Sequence, residues 1–510
     1  MGILFTDILK GNDLMNWTRA SGVLMHIASL PGDSGIGTLG KSAYEFVDFL
    51  KTTKQTYWQI LPICPTSFGD SPYQSFSTFA GNPYFIDLDT LCEQGYLKEE
   101  DYKDINWGDD IENVDYSVIF RQRNKVFEKL YKNFSKNIPS DFNDFCDKND
   151  FWLDDFALFM AVKDSFGGVK YTEWDEDIRK RDESAVSYYQ VKCKEHIEYY
   201  KMLQYFFFKQ WYALKEYANK SGIKIIGDLP IYVAEDSADV WSNPKCFKLD
   251  KNLKPILVAG CPPDAFSSDG QLWGNPVYNW HYMKKTGYDW WIKRLKASFE
   301  IYDIVRIDHF RGFEAFYCIR YGERTAKIGK WLKGPDIAFW KFVKSKLGDL
   351  PIIAEDLGFL TPKVHKLLAK SGFPGMKVLQ FAFDSREDNN YLPHNYTKNC
   401  VVYTGTHDND TINGWLETVS QNDLEFAKKY LNTDKNNIRE ELIISAMSSV
   451  ADTCILTMQD LIGLGSEARM NIPSTVGGNW MWRAKPQYIT KEITDTLSDL
   501  TKIYSRERQC

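Results

Sequence analysis

The feature that most constrains the fold of this 510-residue chain is a series of eight short apolar runs, each ending in polar or charged residues. Helical patterns separate most of these runs, for example at residues 42–51 and 362–371. Apolar runs without polar alternation are typical of parallel strands that are buried on both faces. The predicted strands are residues 22–25, 58–61, 223–226, 301–307, 352–354, 376–380, 401–403 and 454–458. Eight strands alternating with helices predict an α/β fold, a closed (β/α)8 TIM barrel.

The length of the chain predicts large insertions in this barrel. A barrel needs about 250 residues, so roughly half of the chain must lie in insertions. One insertion follows the second strand over residues 62–222, and its part from about 96 to 220 has the pattern of a helical subdomain. A second, over residues 230–285, follows the third strand. Both leave at the carboxyl ends of strands, the catalytic face of such barrels. We expect residues 1–510 to form a single catalytic barrel without a separate C-terminal β domain.

Charge, hydropathy and cysteine usage exclude several classes of protein. The chain has 62 Lys and Arg against 69 Asp and Glu, and it lacks the basic stripe that nucleic-acid binding requires. No run of about 18 apolar residues predicts a membrane span. The ten cysteines are scattered without metal-type spacing, as suits a reducing compartment. We therefore expect a cytoplasmic protein that binds neither nucleic acid nor membranes.

The segment at residues 35–40, GIGTLG, has the G-x-G-x-x-G pattern of a dinucleotide-binding turn. About ten residues separate the preceding predicted strand from Gly35, which is too many for a tight phosphate turn. No acidic residue follows at the position that would bind a ribose. We interpret the segment as a turn and a helix start, and we predict no cofactor.

Four predicted strands each deliver a carboxylate to the same rim of the barrel. These carboxylates belong to Asp228, Asp308, Glu355 and Asp408. Such a ring suits glycosidic-bond chemistry, in which one carboxylate attacks the anomeric carbon and another protonates the leaving oxygen. A single Asp at a strand end more often caps a helix, and this is our interpretation of Asp356.

A metal cluster is the alternative for this ring, since carboxylates and His also bind Mg²⁺ or Zn²⁺. Arg306 argues against it, because residues two apart on a strand face the same side and its guanidinium should lie beside Asp308. A neighbouring cation keeps Asp308 ionised, as a nucleophile requires, and competes with a metal for it. The sequence therefore predicts no bound metal.

Motifs spread over about residues 20–485 resemble the 4-α-glucanotransferases called amylomaltases or disproportionating enzymes, relatives of the α-amylases. The motifs are VRIDHFRGFEAF, IIAEDLG, YTGTHDND, IIGDLPIYVAEDSADVW, GIGTLG, GDSPYQSFSTFAGNPYFIDL, GQLWGNPVYNW and NIPSTVGGNWMWR. The resemblance implies a retaining enzyme that transfers α-1,4-glucan segments between maltooligosaccharides, or between glucans derived from starch or glycogen. It also implies a covalent glycosyl-enzyme and the release of glucose.

The same motifs imply roles for particular residues. By resemblance, Asp308 is the nucleophile, Glu355 is the general acid/base, and Asp408 is a third carboxylate that binds the donor sugar. The other implied sugar contacts are Tyr73, Asp228, Arg306, His407 and Asn479. Glu355 is expected to titrate above Asp308, because it must hold a proton when the nucleophile does not.

The insertion at 230–285 is expected to form a lid over the cleft. It carries Phe266 and Trp273, whose flat apolar faces would exclude water and receive incoming sugars. The alternative is that these aromatic side chains pack the insertion against the barrel.

Two other functions share these carboxylates. One is an α-amylase-like maltodextrin hydrolase, which would be expected to carry a separate C-terminal β domain. Only about fifty residues follow the eighth strand, so such a domain does not fit. The other is a non-catalytic glucan-binding protein on a decayed barrel, which the presence of all three implied catalytic carboxylates disfavours.

Overall fold

The computed structural model describes residues 17–263, 267–358, 360–385 and 389–507. Within these ranges the strands form two sheets. The strands are β1 (Ala20–Leu24), β2 (Tyr57–Gln59), β3 (Lys224–Leu229), β4 (Leu257–Cys261), β5 (Gln271–Pro276), β6 (Ile304–Ile307), β7 (Ala315–Arg320), β8 (Gly329–Lys333), β9 (Ile352–Ala354), β10 (Gly375–Val378), β11 (Cys400–Tyr403) and β12 (Thr453–Thr457).

The larger sheet is the barrel. Its strand order is β10-β11-β12-β1-β2-β3-β6-β9, and each neighbouring pair is parallel. The amide of Ala354 in β9 donates to the carbonyl of Pro374, just before β10, at 2.9 Å, so the two ends of this order meet. The eight predicted strands are present, and the prediction of a (β/α)8 TIM barrel is confirmed.

Helices surround the barrel and make up most of the segment between β2 and β3. They are Lys41–Thr52, Leu88–Glu93, Tyr116–Phe134, Phe142–Lys148, Asp150–Ser165, Glu176–Arg179, Glu183–Lys192, Lys194–Lys220, Ala238–Ser242, Trp280–Lys285, Asp289–Ile301, Asp336–Leu347, Pro362–Ser371, Ile412–Thr418, Gln421–Leu431, Ile438–Ser448, Met458–Ile462 and Lys491–Ile503. In the part of the chain that the structure describes, none of them is long and apolar enough to cross a lipid bilayer.

The long helix Lys194–Lys220 fixes the loop that runs into the barrel mouth. Gln204 is buried in this helix, and its amide exchanges two hydrogen bonds with the backbone of Gly81, of 2.7 and 2.9 Å. Gln210 does the same for the backbone of Asp87, at 2.7 and 3.0 Å. Buried backbone groups need partners, so these side chains take the place of strand or helix pairing. The segment that contains Tyr73 is thereby anchored just after it.

The smaller sheet was not predicted from the sequence. It has four antiparallel strands in the order β5-β4-β7-β8, of which β4 and β5 follow β3 while β7 and β8 follow β6. The segment that follows β3 and the segment that follows β6 therefore pair with each other in one sheet outside the barrel. The short strands of this sheet lack a clear alternation of apolar and polar residues, and β8 is largely exposed. The pairing of these strands therefore left no periodic signal in the sequence.

Asp356 does not cap a helix, and that prediction is wrong. The next helix begins at Pro362, and the buried Asp356 carboxylate accepts the amide hydrogen of Met376 in β10 at 2.6 Å. The side chain therefore bridges β9 and β10, where the regular ladder of strand hydrogen bonds is incomplete. Gly375 makes room for it, because a Cβ there would lie 2.6 Å from an Asp356 oxygen.

Candidate active site

The carboxyl ends of the barrel strands bring the predicted acidic residues to one rim. In the strand register Asp228 of β3 pairs with Arg306 of β6, and Ile307 of β6 pairs with Ala354 of β9. Asp308 and Glu355 are thus the next residues on neighbouring parallel strands, which lie about 4.8 Å apart. The amide of Glu355 donates to the carbonyl of Ile307 at 3.0 Å, so the ladder continues to this position.

Arg306 holds two of the carboxylates together. Its Nη1 donates to both oxygens of Asp228 at 2.7 and 2.6 Å, and its Nη2 lies 3.2 Å from Oδ1 of Asp308. Arg306 and Asp228 are fully buried, whereas 30% of the Asp308 side chain is exposed. Asp308 is therefore the member of this group that a ligand in the cleft can reach. The expected placement of Arg306 beside Asp308 is confirmed.

A second group covers the side of the cleft next to Asp228. The Tyr73 hydroxyl donates to Asp228 Oδ2 at 2.7 Å, and its ring stacks on His407 with centroids 5.0 Å apart and planes at 20°. The ring of Trp480 lies 5.7 Å from both Tyr73 and His407. Trp480 was not singled out from the sequence, although it stands beside Asn479 in the quoted GGNW motif. Together the three rings form an aromatic wall.

Asp408 is oriented by a loop that follows β12. Asn471 Nδ2 donates to Asp408 Oδ1 at 2.6 Å, and Arg469 Nη2 donates to its main-chain carbonyl at 2.8 Å. His407 Nε2 lies 3.5 Å from the other carboxylate oxygen. Asn471 and Arg469 were missed in the sequence, because a single polar residue in a loop carries no pattern. About half of the Asp408 side chain (47%) remains exposed to the cleft.

Asn479 lies in the same loop, and its amide bonds to that loop. Its Oδ1 accepts the amide hydrogen of Ile472 at 3.0 Å, and its Nδ2 donates to Thr475 Oγ1 at 3.0 Å. These contacts hold the loop closed beside Trp480. The predicted sugar contact of Asn479 stays a prediction.

Glu355 is held by two backbone amides. His309 N donates to Oε2 at 2.6 Å and Leu357 N donates to Oε1 at 2.7 Å. His309 has a left-handed backbone, with φ 51° and ψ 47°, so the chain turns back toward Glu355 directly after Asp308. A non-glycine residue in this region is uncommon and costs free energy, which neighbouring contacts must offset. Sequence patterns could not reveal this backbone contact.

Burial dominates the electrostatics of the two central carboxyls. It raises the pKa of Glu355, against the effect of Arg306 and of the amides of Leu357 and His309. Burial raises the pKa of Asp308 well above its usual range, against the effect of Arg306, and the charges of Asp228 and Glu355 add to the rise. The pKa values of both carboxyls are thus raised, and the expected order, with Glu355 titrating above Asp308, stays a prediction.

The aromatic wall is neutral at physiological pH. Burial lowers the pKa of His407, although the nearby Asp408 carboxylate works in the opposite direction. Burial and Asp228 raise the pKa of the Tyr73 hydroxyl well above its usual value, so it stays a hydrogen-bond donor. Arg306 is buried among these groups and stays charged, because the charges of Asp228 and Asp308 more than offset its desolvation and raise its pKa.

Trp273 of β5 lies next to the residue that follows Asp308. Its ring packs edge-on against His309, with centroids 4.8 Å apart and planes at 86°. Its carbonyl accepts a hydrogen bond of 3.2 Å from Gln74 Nε2, which connects β5 to the loop of Tyr73. The other predicted aromatic residue of this segment, Phe266, lies outside the described residues.

Comparison with known proteins identifies close relatives. A family model described as 4-alpha-glucanotransferase matches residues 25–490. The 4-alpha-glucanotransferase of Clostridium butyricum is 53% identical over 485 residues, which cover 94% of this chain and 100% of that protein. That of Streptococcus pneumoniae is 52% identical over 496 residues, covering 96% and 97%. The structure of amylomaltase from Streptococcus agalactiae in complex with acarbose matches with a TM-score of 0.94 at 48% identity, covering 96% of this chain and 100% of that one.

The charge arrangement predicts how pH dependence responds to one substitution. In Asp228→Asn, Asp308 loses a neighbouring negative charge and Arg306 faces one carboxylate fewer, so the pKa of Asp308 should fall. The ionised form of Asp308 should then persist to lower pH. If the reaction requires this form, the acidic limb of kcat/KM for an α-1,4-glucan moves down by about one pH unit. The measurement is the pH profile of kcat/KM for the parent and the variant.

Asp239→Asn serves as the control, because Asp239 is a buried carboxyl outside this group whose pKa is raised by burial to about 6. This variant should leave the acidic limb in place. A limb that stays fixed in Asp228→Asn, or that moves to higher pH, would contradict the proposed coupling.

Proposed function

Because the chain belongs to the 4-α-glucanotransferase family, we propose that Asp308 and Glu355 carry out its transfer of α-1,4-glucan segments by a retaining two-step reaction. The chain is an enzyme that acts on α-1,4-glucans. The roles of the two residues are supported by one observation above all. Asp308 and Glu355 follow the registered pair Ile307 and Ala354 on adjacent strands, with the backbone next to Asp308 bonded to Glu355.

In the first step an oxygen of the Asp308 carboxylate attacks the anomeric carbon of the donor glucan. The bond from that carbon to the bridging oxygen breaks, and Glu355 donates its proton to this oxygen as the reducing-end part leaves. In the second step Glu355 takes the proton of an acceptor hydroxyl, whose oxygen attacks the same carbon and displaces Asp308. Two inversions restore the α configuration. With maltotriose as donor, the leaving part includes glucose.

The pKa values in the free site bear on how this proton is distributed. The pKa values of Asp308 and Glu355 are both raised. The positive charge of Arg306 interacts with the carboxylates of Asp228, Asp308 and Glu355 together. One buried cation faces three carboxylates, and this imbalance favours a proton on one of them. We assign that proton to Glu355 in the substrate complex, because Arg306 contacts Asp308 directly and stabilises its ionised form.

The donor sugar is assigned to the side of the aromatic wall. Asp408 is half exposed there and held by Asn471, so its free oxygen can accept a sugar hydroxyl. Tyr73 presents a ring whose hydroxyl is already bonded to Asp228, which fixes its plane for stacking. We propose maltooligosaccharides, and starch or glycogen-derived glucans, as substrates. The related amylomaltase from Streptococcus agalactiae was solved in complex with acarbose.

A cytoplasmic location is part of the proposal. The ten cysteines are spread along the chain without the paired spacing of a disulfide scaffold. Burial raises the pKa of the Cys64 thiol to about 12 and that of Cys454 to about 11, so both stay protonated and unreactive.

The segment at 230–285 is proposed to act as a lid that favours transfer over hydrolysis. Trp273 supports this, because its ring contacts His309 directly beside the nucleophile while the residue remains only half-buried. A ring at this place can cover the glycosyl-enzyme and present an apolar face to the acceptor sugar. Water makes no such contact with the ring, so the ring favours a sugar over water as the acceptor.

Substituting either central carboxylate should abolish turnover. Asp308→Ala removes the nucleophile and Glu355→Gln removes the exchangeable proton, so each should leave less than about a thousandth of the parental activity. The assay is incubation with maltotriose and chromatography of the products, for which the parent should give glucose and a ladder of longer oligomers. Glucose and maltose alone would instead indicate the hydrolase.

Asp356→Asn is the matched control, since it neutralises the neighbouring carboxylate but keeps an oxygen acceptor for Met376 N. It should stay within about tenfold of the parent. Circular dichroism and thermal unfolding should show that all three variants fold. Activity above the stated limit in a folded Asp308 or Glu355 variant would refute the proposed roles.

Replacing Trp273 tests the lid. Trp273→Ala should raise the ratio of hydrolysis to transfer severalfold, because water then competes better for the intermediate. Hydrolysis is measured as the number of new reducing ends, and it is compared with the total number of donor bonds broken. Leu272→Ala, on the same strand, should leave the ratio unchanged, and Trp273→Phe should restore most of it. The lid proposal fails if the ratio in Trp273→Ala equals that of the parent.

A further inference from the structure

The buried guanidinium of Arg306 has a third partner besides its two carboxylates. Its Nη groups face Asp228 and Asp308, and its Nε donates to the sulfur of Met376 in β10 at 3.3 Å. Arg306 and Met376 are both deeply buried, with 3% and 1% of their surfaces exposed. Within the described residues, Nε makes no other hydrogen bond. The thioether therefore completes the hydrogen bonding of the buried cation.

A thioether at this position has an electrostatic consequence. A guanidinium is planar and rigid, so a bond at Nε fixes the direction in which both Nη groups point. An N–H group without an acceptor at this depth would cost free energy. A carboxylate at position 376 would satisfy Nε, but it would also share the positive charge that stabilises ionised Asp308. The sulfur of Met376 is a weak neutral acceptor, so it satisfies Nε and leaves the charge to Asp228 and Asp308.

The strands on both sides of β10 hold the backbone of Met376. Its amide donates to Asp356 Oδ1 at 2.6 Å, and Asp356 directly follows Glu355. On the other side, Met376 pairs with Val401 of β11. The barrel therefore fixes the backbone from which the sulfur reaches Arg306.

We propose that Met376 is a positioning residue for the transfer reaction, whose sulfur holds the Arg306 guanidinium in the orientation that serves Asp308. This inference rests on the proposed function of Asp308 as the nucleophile. Without the sulfur, the guanidinium should turn toward other acceptors and weaken its contact of 3.2 Å with Asp308. The ionised form of Asp308 is then less stable, so its pKa should rise and the reaction should require a higher pH.

Other groups also act on Arg306 and Asp308 from the surrounding strands and loops. These charged or titratable groups are Tyr73, Asp228, Glu355, Tyr403, His407 and Asp408. A substitution of Met376 replaces none of them and adds no charge when the new side chain is neutral. A shift in the pH profile of such a variant therefore reports on the orientation of Arg306.

The experiment measures the pH profile of kcat/KM for amylose in the full-length enzyme, with glucose as the acceptor at a fixed concentration. Met376→Leu keeps a similar volume but has no acceptor, and we expect its acidic limb to move up by about half a pH unit. At a pH on this limb, kcat/KM should be about threefold lower than in the parent. Met376→Gln, whose neutral carbonyl oxygen can accept the same hydrogen bond, should return the limb toward the parental position.

Met202→Leu is the matched control, because Met202 is fully buried in the helix Lys194–Lys220, in the segment between β2 and β3. It should leave the acidic limb in place. Thermal unfolding shows which variants fold, and Met376→Ile, which also lacks an acceptor, replaces Met376→Leu if that variant does not fold.

The outcomes separate the two proposals. If Asp308→Ala is inactive but the limb of Met376→Leu stays in place or moves down, the positioning role is refuted while the proposed function stands. An equal upward shift in Met376→Leu and Met376→Gln also refutes it, since the shape of the side chain and not its acceptor would then matter. If Asp308→Ala is as active as the parent, the proposed function itself fails.

Discussion

The active site depends on one buried cation, Arg306, which faces Asp228 across the β3–β6 register and Asp308 on its own strand. An unpaired guanidinium at this depth would be strongly destabilising, so the carboxylates and the cation fix each other. Arg306 and Asp228 lie on paired parallel strands, and Asp308 directly follows the strand of Arg306. The barrel and not a loop therefore sets the positions of these three residues. In the proposed reaction, the contact with Arg306 stabilises the ionised form of Asp308.

Loops supply the remaining residues of the site, and buried polar contacts hold these loops in fixed positions. Gln204 and Gln210 tie the chain that follows Tyr73 to the long helix, and Asn471 orients Asp408 from another loop. The left-handed His309 turns its amide onto Glu355. Pre-organised contacts of this kind let the proposed reaction proceed without rearranging the charged groups at each step.

Much of this arrangement could be predicted from the sequence. Strands buried on both faces leave continuous apolar runs, which revealed the barrel, and the polar residues at their ends revealed Asp308 and Glu355. The four-stranded sheet was missed because its pairing joins two distant segments with no period of their own. The predicted role of Asp356 was wrong, since it depends on which group of the neighbouring strand lies next to the carboxylate.

The most direct test of the central claim is to trap the glycosyl-enzyme. In Glu355→Gln, an activated α-maltosyl fluoride needs no proton for its leaving group, so the first step should proceed while the second stalls. Mass spectrometry of the intact protein and of its proteolytic peptides should then find one maltosyl adduct, on the peptide that carries Asp308. An adduct on another carboxylate, or the same adduct in Glu355→Gln combined with Asp308→Ala, would contradict the account.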